Sequence, residues 1–192
     1  MVHGEYEGQN ALRRVIPNNI PLPVAYGVYD LDKSKHFYLA EFHDMRQRVP
    51  KPQSLTSVLK QLHQGSVSPT GKFGFPITTY KGYFPLQVAW CDSWEEFFAR
   101  QFRAELIWEA GLRGKNEELE QLAEQLFEKV IPRLLRPLQT GGRSIKPTLC
   151  HGDLWHGNVE IDVDTQQLIL FDSCAVYAHN ECKYCLSALG NS

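Results

Sequence analysis

Residues 150–159 of this chain read Cys-His-Gly-Asp-Leu-Trp-His-Gly-Asn-Val, and residues 168–172 read Leu-Ile-Leu-Phe-Asp. The first stretch places Asp153 in a polar loop with glycines, and Asn158 follows five residues later. The second stretch is a short apolar strand that ends in Asp172. Phosphoryl transfer requires a carboxylate that accepts the proton of the attacking hydroxyl, and an amide and a second carboxylate that hold magnesium. Together the two stretches predict a phosphoryl-transfer site.

The spacing of these residues matches the catalytic loop of protein kinases, in which Asp-x-x-x-x-Asn is followed by a strand-end Asp. Here His151 and Gly152 precede the first Asp, where kinases have His-Arg, and no Phe-Gly pair follows Asp172. On this interpretation Asp153 is the catalytic base, and Asn158 and Asp172 bind the metal. The alternative is a hairpin whose Asp and Asn residues only satisfy turn geometry. We expect His151 to hold the loop by a hydrogen bond near the second Asp rather than to transfer protons.

The chain after the loop predicts a β-hairpin. Residues 159–163 and 167–171 are strand-like, and the polar residues 164–166 between them form the turn. Pairing of the two strands brings Asn158 beside Asp172, as two ligands of one metal ion must be.

The composition is ordinary for a globular protein. Of the 192 residues, 43% are hydrophobic and 22% are charged, which is enough for one core in one domain or slightly more. The formal net charge of −2 argues against nucleic-acid binding, which requires a basic surface. No apolar run reaches membrane-spanning length, and the first residues lack the apolar segment of a signal peptide. The odd number of cysteines, five, favours a reducing, cytoplasmic location over a disulfide framework.

The first half of the chain predicts a helix over residues 4–15 and a hairpin of two strands over 24–29 and 36–42. A short helix follows with Ser54 as its N-cap. Its buried stripe consists of four apolar residues at helical spacing: Leu55, Val58, Leu59 and Leu62. The connection over residues 65–85 is too long for a plain linker and predicts a hairpin-like flap or a functional loop.

Two helices are predicted in the second half of the chain. An amphipathic helix extends from about Ser93 to Ala110, and its aromatic face is most simply core. A second helix follows Asn116, with acidic residues in its first turn, where the helix dipole favours them. Pro132 should kink this helix and Pro137 should end it. Its predicted buried face consists of Leu119, Leu122, Leu126, Val130 and Leu134.

The chain resembles the fructosamine kinase family, and more narrowly its fungal protein-ribulosamine 3-kinase members. Residues 151–159 meet the family signature His-Gly-Asp-Leu-Trp-x-Gly-Asn-Val in full. Residues 72–75 match its Phe-Gly-Phe segment, and residues 90–98 match its tryptophan-rich helix entry. Residues 37–45 resemble its hinge strand, and residues 171–181 resemble the metal-binding Asp segment and the tail beyond it. The catalytic-loop motif alone is shared with choline and aminoglycoside phosphotransferases, whereas the combination is narrower.

The resemblance implies an α+β, protein-kinase-like fold. Residues 1–45 would form a partial small lobe, with a helix and a few antiparallel strands, that ends in the hinge. Residues 46–192 would form an incomplete, mainly helical large lobe with the catalytic and metal-binding loops. The implied reaction is ATP-dependent phosphorylation of the sugar 3-hydroxyl of a ketosamine, either small or attached to a protein lysine.

The resemblance also implies roles for particular residues. Asp153 would orient the hydroxyl, and Asn158 and Asp172 would bind Mg²⁺. Glu41 and Phe42 would lie at the hinge, where backbone groups bind the adenine of ATP. Tryptophans near Trp155 would face the sugar adduct.

One part of the kinase pattern is missing from this sequence. A kinase fold normally has a Gly-rich phosphate loop and a strand with a lysine that holds the α- and β-phosphates, and neither precedes the first helix here. Glu5 matches the glutamate that pairs with that lysine, and we expect it either at the cofactor site or as a solvated acid at a helix N-terminus. Two hypotheses follow: a ketosamine kinase encoded by a shortened sequence, or a kinase-like remnant that binds sugar adducts or a partner without catalysis.

A zinc site is a further alternative at the end of the chain. Three thiolates and one imidazole form a known structural zinc set, and Cys174, His179, Cys182 and Cys185 supply these groups. The spacings fit no familiar zinc finger, so incidental cysteines are the simpler interpretation.

Overall fold

The structure is a computed structural model, and it describes residues 1–46 and 50–181. Within these ranges the chain has the mixed α+β composition predicted from the sequence. Helices alternate with short strands that form four small antiparallel sheets. Three of these sheets are pairs of strands, and the fourth has three strands.

The chain begins with helix α1 (Val2–Arg13), followed by the hairpin of β1 (Pro23–Val28) and β2 (His36–Ala40). The hairpin is the predicted one, and its register pairs Tyr26 with Tyr38. Helix α1 packs on one face of it, where the rings of His3 and Tyr6 lie 4.6 and 4.9 Å from the ring of Tyr26. This contact places the first turns of α1, including Glu5, beside the hairpin.

Strand β3 (Met45–Arg46) follows the predicted hinge, and the predicted domain boundary falls inside it. Helix α2 (Pro52–Gly65) comes next and buries Leu59 and Leu62 as predicted. The predicted N-cap at Ser54 is wrong. The helix begins at Pro52, so that Lys51, three residues before Ser54, is at the N-cap position. Proline suits the first position of a helix, where its missing N–H has no partner to lose.

The predicted flap over residues 65–85 contains a short hairpin of β4 (Tyr80–Lys81) and β5 (Phe84–Pro85). Helix α3 (Trp94–Arg113) then begins where predicted. Its N-cap is Ser93, whose Oγ accepts a hydrogen bond from the Glu96 N–H at 3.2 Å. The aromatic face of α3 is core only in its first turns, where Trp94 and Phe97 are buried. They pack with Phe73, Cys91, Cys150, Val176 and Ala178.

Helix α4 (Glu117–Gln125) follows Asn116, as predicted. It continues into a π-helical segment (Leu126–Val130) and helix α5 (Ile131–Leu135). The sequence predicts a kink at Pro132, and the π segment lies just before this residue. Pro132 has no N–H to donate to a carbonyl one turn earlier, which favours a local departure from α-helical bonding. A 3₁₀ turn (Arg136–Gln139) ends the helical run at the predicted place.

The predicted buried face of this helical run is wrong for most of its members. Leu122 and Leu134 are 56% and 61% exposed, and Leu119 and Val130 are also exposed. The physical reason is that periodicity identifies an apolar face but not a partner for it. Phe127, near this face, lies against α3, where its ring is 6.0 Å from that of Phe102.

The remaining strands are β6 (Thr148–Cys150), β7 (Val159–Asp162), β8 (Leu168–Leu170) and β9 (Val176–Ala178). Strands β7 and β8 form the predicted hairpin, and β7 also pairs with β3. The main core joins these strands to α1 and α2 through fully buried residues: Leu12, Ile16, Leu62, Leu149, Leu170 and Ala175. The loops after β6 and β8 therefore leave a rigid core side by side.

Candidate functional site

The loop that contains Asp153 leaves the buried strand β6 through His151 and Gly152. Gly152 has φ +85°, and a Cβ there would overlap the carbonyl oxygen of Cys174 and lie 2.7 Å from its Sγ. Only glycine combines this backbone conformation with so close an approach. Gly152 thus lets the loop lie directly against the segment that follows Asp172.

His151 joins the same two segments. Its imidazole is buried, and Nε2–H donates a hydrogen bond to the Phe171 carbonyl oxygen at 3.0 Å. Burial lowers the pKa of His151 to about 4, although the Phe171 carbonyl opposes the shift. The ring is therefore neutral near pH 7, and its position confirms the predicted hydrogen bond near the second Asp.

Asn158 connects the two predicted site aspartates, through the side chain and backbone of Asp153 and the backbone of Asp172. Its Nδ2 lies 2.8 Å from the Asp153 backbone oxygen, 3.2 Å from Asp153 Oδ2 and 3.3 Å from the Asp172 backbone oxygen. The Phe171 N–H in turn donates to the Asn158 carbonyl oxygen at 3.2 Å. The hairpin thus brings Asn158 beside Asp172, as the sequence predicts, and adds Asp153 to the same group.

Several charges act on the carboxyl group of Asp153. Partial burial raises its pKa, and the positive charge of Lys81 opposes this shift. The negative charge of Asp172 raises the pKa further, whereas the hydrogen bond from Asn158 lowers it. The site therefore contains an electrostatically coupled pair of acids with one nearby lysine.

Asp172 lies at the end of β8 in a left-handed backbone conformation, with φ +55°. Such a φ is uncommon for residues other than glycine, though aspartate tolerates it better than most, and it is often found at functional sites. Asp172 and Glu5 line one cavity of about 160 Å³, together with Tyr80, Tyr83 and Ser173. Burial and the charge of Asp172 both raise the pKa of Glu5. Glu5 thus faces the site rather than solvent alone.

The residues present fit a magnesium ion. Mg²⁺ prefers hard oxygen ligands and is usually held by one or two carboxylates. Because the three contacts of Asn158 use its Nδ2, its side-chain oxygen is left as a ligand. Asp172, whose backbone oxygen lies 3.3 Å from Asn158 Nδ2, supplies a carboxylate, and the two side chains would hold the ion.

Glu41 and Phe42, the predicted hinge residues, follow β2. The Glu41 carboxylate accepts a hydrogen bond from the Leu22 N–H at 3.1 Å and lies 4.0 Å from Arg13 Nη1. Phe42 is 87% exposed. The side chain of Glu41 therefore stabilises the hinge, and adenine binding by the hinge backbone stays a prediction.

Trp155 and Trp90 differ in their surroundings. Trp155 is 39% exposed and lies edge-on to His156 at 4.7 Å, two residues from Asp153. Trp90 packs beside Tyr177, with 6.2 Å between the rings. Of these two tryptophans, Trp155 has the more open aromatic surface near the catalytic loop.

Two groups of functional interest were not expected from the sequence. The charge of Lys81 lowers the pKa of both Asp153 and Glu105, so the hairpin of β4 and β5 acts electrostatically on the catalytic loop and on α3. His43 Nδ1 also lies 2.8 Å from Asp162 Oδ2 and joins the hinge to the β7–β8 hairpin. The sequence signal for Lys81 was only its place in the long connection over residues 65–85, and no signal indicated the other contacts.

The zinc alternative is not supported by the described part of the chain. Cys182 and Cys185 lie outside the described residues, and Cys174 is buried, which raises the pKa of its thiol. Among residues 1–46 and 50–181, no group of three or more His, Cys, Asp or Glu side chains is arranged to hold a metal ion. The same ranges contain no helix that is both long and apolar enough to cross a membrane.

Comparison with known proteins gives a consistent result over the whole chain. The family model described as "Fructosamine kinase" matches residues 1–191. The chain is 29% identical over 194 residues to "Protein-ribulosamine 3-kinase, chloroplastic" of Oryza sativa subsp. indica, a match that covers 97% of this chain and 52% of the rice protein. It is 28% identical to "Ketosamine-3-kinase" of Mus musculus, covering 98% of this chain and 65% of the mouse protein. The chain thus spans between half and two thirds of the length of these relatives.

Solved structures show the same fold. A putative fructosamine-3-kinase from Thermobifida fusca superposes with a TM-score of 0.70 at 25% identity, covering 97% of this chain and 59% of the other. A putative fructosamine-3-kinase from Haemophilus somnus also gives a TM-score of 0.70, at 22% identity, covering 100% of this chain and 60% of the other. The architecture described above is thus that of these proteins over the shared region.

Proposed function

This chain belongs to the fructosamine kinase family, and on that premise we propose that it acts as an ATP-dependent kinase that phosphorylates the sugar 3-hydroxyl of ketosamines. The observation that supports this proposal best is the single amide of Asn158, which contacts both Asp153 and Asp172. On this proposal, Asp153 is the proton acceptor, and the proposed cation ligands Asn158 and Asp172 adjoin it. Phosphoryl transfer needs these two features at one place.

In the proposed reaction, Asp153 orients the acceptor hydroxyl and accepts its proton. A bond forms between the hydroxyl oxygen and the γ-phosphorus of ATP while the bond from that phosphorus to the leaving oxygen of ADP breaks. Asn158 and Asp172 hold Mg²⁺, which neutralises phosphate charge when it is bound. The neutral ring of His151 keeps the loop against Phe171 and takes no proton.

The acceptor is proposed to be a ribulosamine or fructosamine, either small or on a protein lysine, so that the chain serves in the repair of glycated proteins. The exposed ring of Trp155, next to the catalytic loop, offers an aromatic surface for the sugar adduct. The backbone of Glu41 and Phe42 is proposed to bind adenine, and Glu5 to face the phosphates beside Asp172. A cytoplasmic location and the division into lobes at residues 45 and 46 stay predictions.

The test compares the wild-type chain with Asp153→Asn, which preserves the size of the side chain and a polar group for Asn158. Transfer of the γ-phosphate of ATP to a ribulosylated lysine derivative is followed by mass spectrometry. We expect Asp153→Asn to lower kcat by roughly 10²- to 10⁴-fold, the usual contribution of a positioned general base. Equal rates in both proteins would overturn the assignment of Asp153.

Calorimetry with ATP and Mg²⁺ separates this proposal from the alternative, a kinase-like remnant that binds sugar adducts or a partner without catalysis. An enzyme binds the nucleotide, and Asp153→Asn retains that binding because the base contacts the acceptor. A remnant gives little heat of nucleotide binding and no transfer with the wild-type chain.

A further inference from the structure

His43 lies between two acidic side chains from distant parts of the chain. Its Nδ1 is 2.8 Å from Asp162 Oδ2 at the end of β7, and its Nε2 is 3.5 Å from Glu41 Oε2 in the hinge. The side chain of His43 is 18% exposed, and that of Asp162 only 6%. The imidazole therefore has a carboxylate at each ring nitrogen in a largely buried place.

The chemistry of Asp162 determines which ring nitrogen carries the proton in neutral His43. The two hydrogen bonds from Thr165, and then the one from His43, lower the pKa of Asp162 to about 2. Its carboxylate is therefore ionised near pH 7 and can only accept. The Nδ1–H of His43 is thus the donor in the 2.8 Å hydrogen bond, and Nε2 of the neutral ring carries a lone pair instead of a hydrogen.

Nε2 of His43 is the atom that this arrangement leaves unsatisfied. It is buried and has no hydrogen-bond partner in the described part of the chain. The atom that it faces at 3.5 Å, Glu41 Oε2, is also an acceptor, and a buried polar atom without a partner costs free energy. A proton on Nε2 removes this cost, because Nε2–H can donate to the carboxylate of Glu41.

Few other charged groups surround the imidazole. Within 4.0 Å, the described residues offer it only the carboxylates of Glu41 and Asp162. From α1, Arg13 Nη1 approaches the same Glu41 oxygen to 4.0 Å. Asp44 and Arg46, which follow in the hinge and β3, form no ion pair within 4.0 Å among the described residues. A proton on Nε2 therefore lies between two negative charges, with one positive charge beyond Glu41.

The same place joins the hinge to the β7–β8 hairpin. The Val163 N–H donates a hydrogen bond to the Asp44 carbonyl oxygen at 2.8 Å, and β3 pairs with β7. The hairpin has the two proposed metal ligands at its ends, and the hinge backbone is proposed to bind adenine. A stronger contact at His43 thus fixes the adenine site relative to the metal ligands.

We propose that His43 is a positioning residue, whose imidazolium form fixes the adenine-binding hinge against the β7–β8 hairpin when Nε2–H donates to Glu41. The inference rests on the proposed kinase function, which assigns adenine to the hinge. The imidazole of histidine ordinarily changes charge between about pH 5 and pH 8. The contact therefore forms as the pH falls through this range, and the affinity for nucleotide rises in the same direction.

Amide hydrogen exchange of the full chain tests the contact without nucleotide. The reporter is the Val163 amide, whose hydrogen bond to Asp44 joins the hairpin to the hinge. After correction for the intrinsic exchange rate, we expect its protection to be about 3- to 10-fold greater at pH 6 than at pH 8, because a hydrogen bond between charged groups is stronger than a neutral one. His43→Asn keeps a donor at the place of Nδ1 but has no group at the place of Nε2, so its protection should be the same at both pH values.

Glu41→Gln is an independent variant that decides the case in which His43→Asn folds poorly. The glutamine oxygen can still accept the hydrogen bond from the Leu22 N–H, but the side chain lacks the charge that attracts Nε2–H. We expect the pH dependence to be lost in this variant also. The matched control is His36→Asn, which changes an exposed histidine in β2 and should behave as wild type. Equal protection at both pH values in the wild type, or the wild-type pH dependence in either hinge variant, overturns the proposal.

Nucleotide binding separates the role of His43 from the kinase proposal. The Kd for ATP with Mg²⁺ is measured by calorimetry at pH 6 and pH 8 in the wild type and in His43→Asn, since the titration of ATP itself is the same for both. We expect the gain in affinity from pH 8 to pH 6 to be about 3- to 10-fold larger in the wild type, with kcat at saturating ATP changed by less than about 3-fold in the variant.

The two proposals fail in different ways. The same change in affinity with pH in both proteins overturns the positioning role of His43 and leaves the kinase proposal standing. Wild-type protein that shows the expected exchange pattern but binds no nucleotide overturns the kinase proposal, and with it the assignment of adenine to the hinge.

Discussion

At His151, burial of an imidazole makes the stability of the fold depend on pH. The folded-state pKa is about 4, whereas an imidazole in an unfolded chain titrates near 6.5. Above pH 6.5 both states are neutral. As the pH falls from 6.5, the unfolded chain takes up the proton first, and the free energy of unfolding decreases until both states are protonated below about pH 4. The full loss corresponds to about 3 kcal/mol.

His151→Gln tests this dependence. Glutamine retains an N–H donor for the Phe171 carbonyl but does not titrate, so we expect a smaller loss of stability between pH 6.5 and pH 4 than in the wild type. Urea unfolding at intervals over this range measures the difference. The same slope in both proteins would mean that His151 is not the group responsible.

At Gly152, a substitution meets both a backbone and a packing obstacle. Gly152→Ala places a Cβ against Cys174 at a φ of +85°, and an L-residue in this region costs about 1–3 kcal/mol before any overlap is counted. Gly141→Ala is the matched control, since Gly141 also has a positive φ, +63°, but has no atom within 4 Å of the Cβ position. We expect Gly152→Ala to lower the free energy of unfolding by at least about 1 kcal/mol more than the control, because overpacking adds to strain. If urea unfolding shows the same loss of unfolding free energy for both variants, the Cβ at residue 152 does not press against Cys174.

The three central residues of the site were predictable because their relation is local. Asp153 and Asn158 belong to one loop, and Asp172 follows through a single hairpin whose pattern is visible in the sequence. The approach of the β4–β5 region to the segment after Asp172 was not predictable, because it depends on packing between distant parts of the chain, such as the hydrogen bond from Thr79 to Ala175. Sequence spacing carries no information about such a contact.

At the scale of elements, the two helices with side-chain N-caps, α3 and α4, differ in how much of their surface is buried. Ser93 caps α3, whose first turns are buried, whereas Asn116 caps α4, which has no buried residue. Ser93→Ala should lower the free energy of unfolding by about 1 kcal/mol, the usual value of an N-cap. Asn116→Ala removes the equivalent hydrogen bond, in which the Leu119 N–H donates to Asn116 Oδ1 at 3.0 Å. It should mainly let α4 fray, with a smaller global effect.

Urea unfolding and amide hydrogen exchange separate these two outcomes. We expect Ser93→Ala to change the global transition and Asn116→Ala to accelerate exchange only within α4, because local opening needs less free energy than global unfolding. A global loss from Asn116→Ala as large as that from Ser93→Ala would contradict the difference in burial.

The type of an element was predictable where residue spacing and flanking polar residues agreed, as at the starts of α3 and α4 and in the β7–β8 hairpin. The start of α2 and the buried face of α4 were not. In α2, proline at the first position competes with a better capping residue two positions later. In α4, leucines recur at helical spacing, a pattern that elsewhere indicates a buried face. Here Leu119 and Leu122 are exposed.

At the scale of the molecule, a series of polar side-chain contacts joins three distant parts of the sequence. Arg13 in α1 lies 4.0 Å from Glu41, which lies 3.5 Å from His43, and His43 lies 2.8 Å from Asp162 at the end of β7. The pairing of β3 with β7 reinforces this connection. The fold class followed from the resemblance in sequence, but these connections between hinge and catalytic hairpin require the three-dimensional arrangement.

The turn of the β7–β8 hairpin is closed by Asp162, whose Oδ1 accepts hydrogen bonds from the backbone of Asp164 and from the backbone and hydroxyl of Thr165. The two bonds from Thr165 and the hydrogen bond from His43 lower the pKa of Asp162 to about 2. Together with the bond from Asp164, the bonds from Thr165 fix how many residues separate the two strands. Since the residues of the two strands pair one to one, a change of one residue in this count would shift Asp172 out of register with Asn158. The hairpin can therefore accept many replacements at the exposed positions 164 and 167 in the course of evolution, but an insertion or deletion in this turn would shift the two halves of the site against each other.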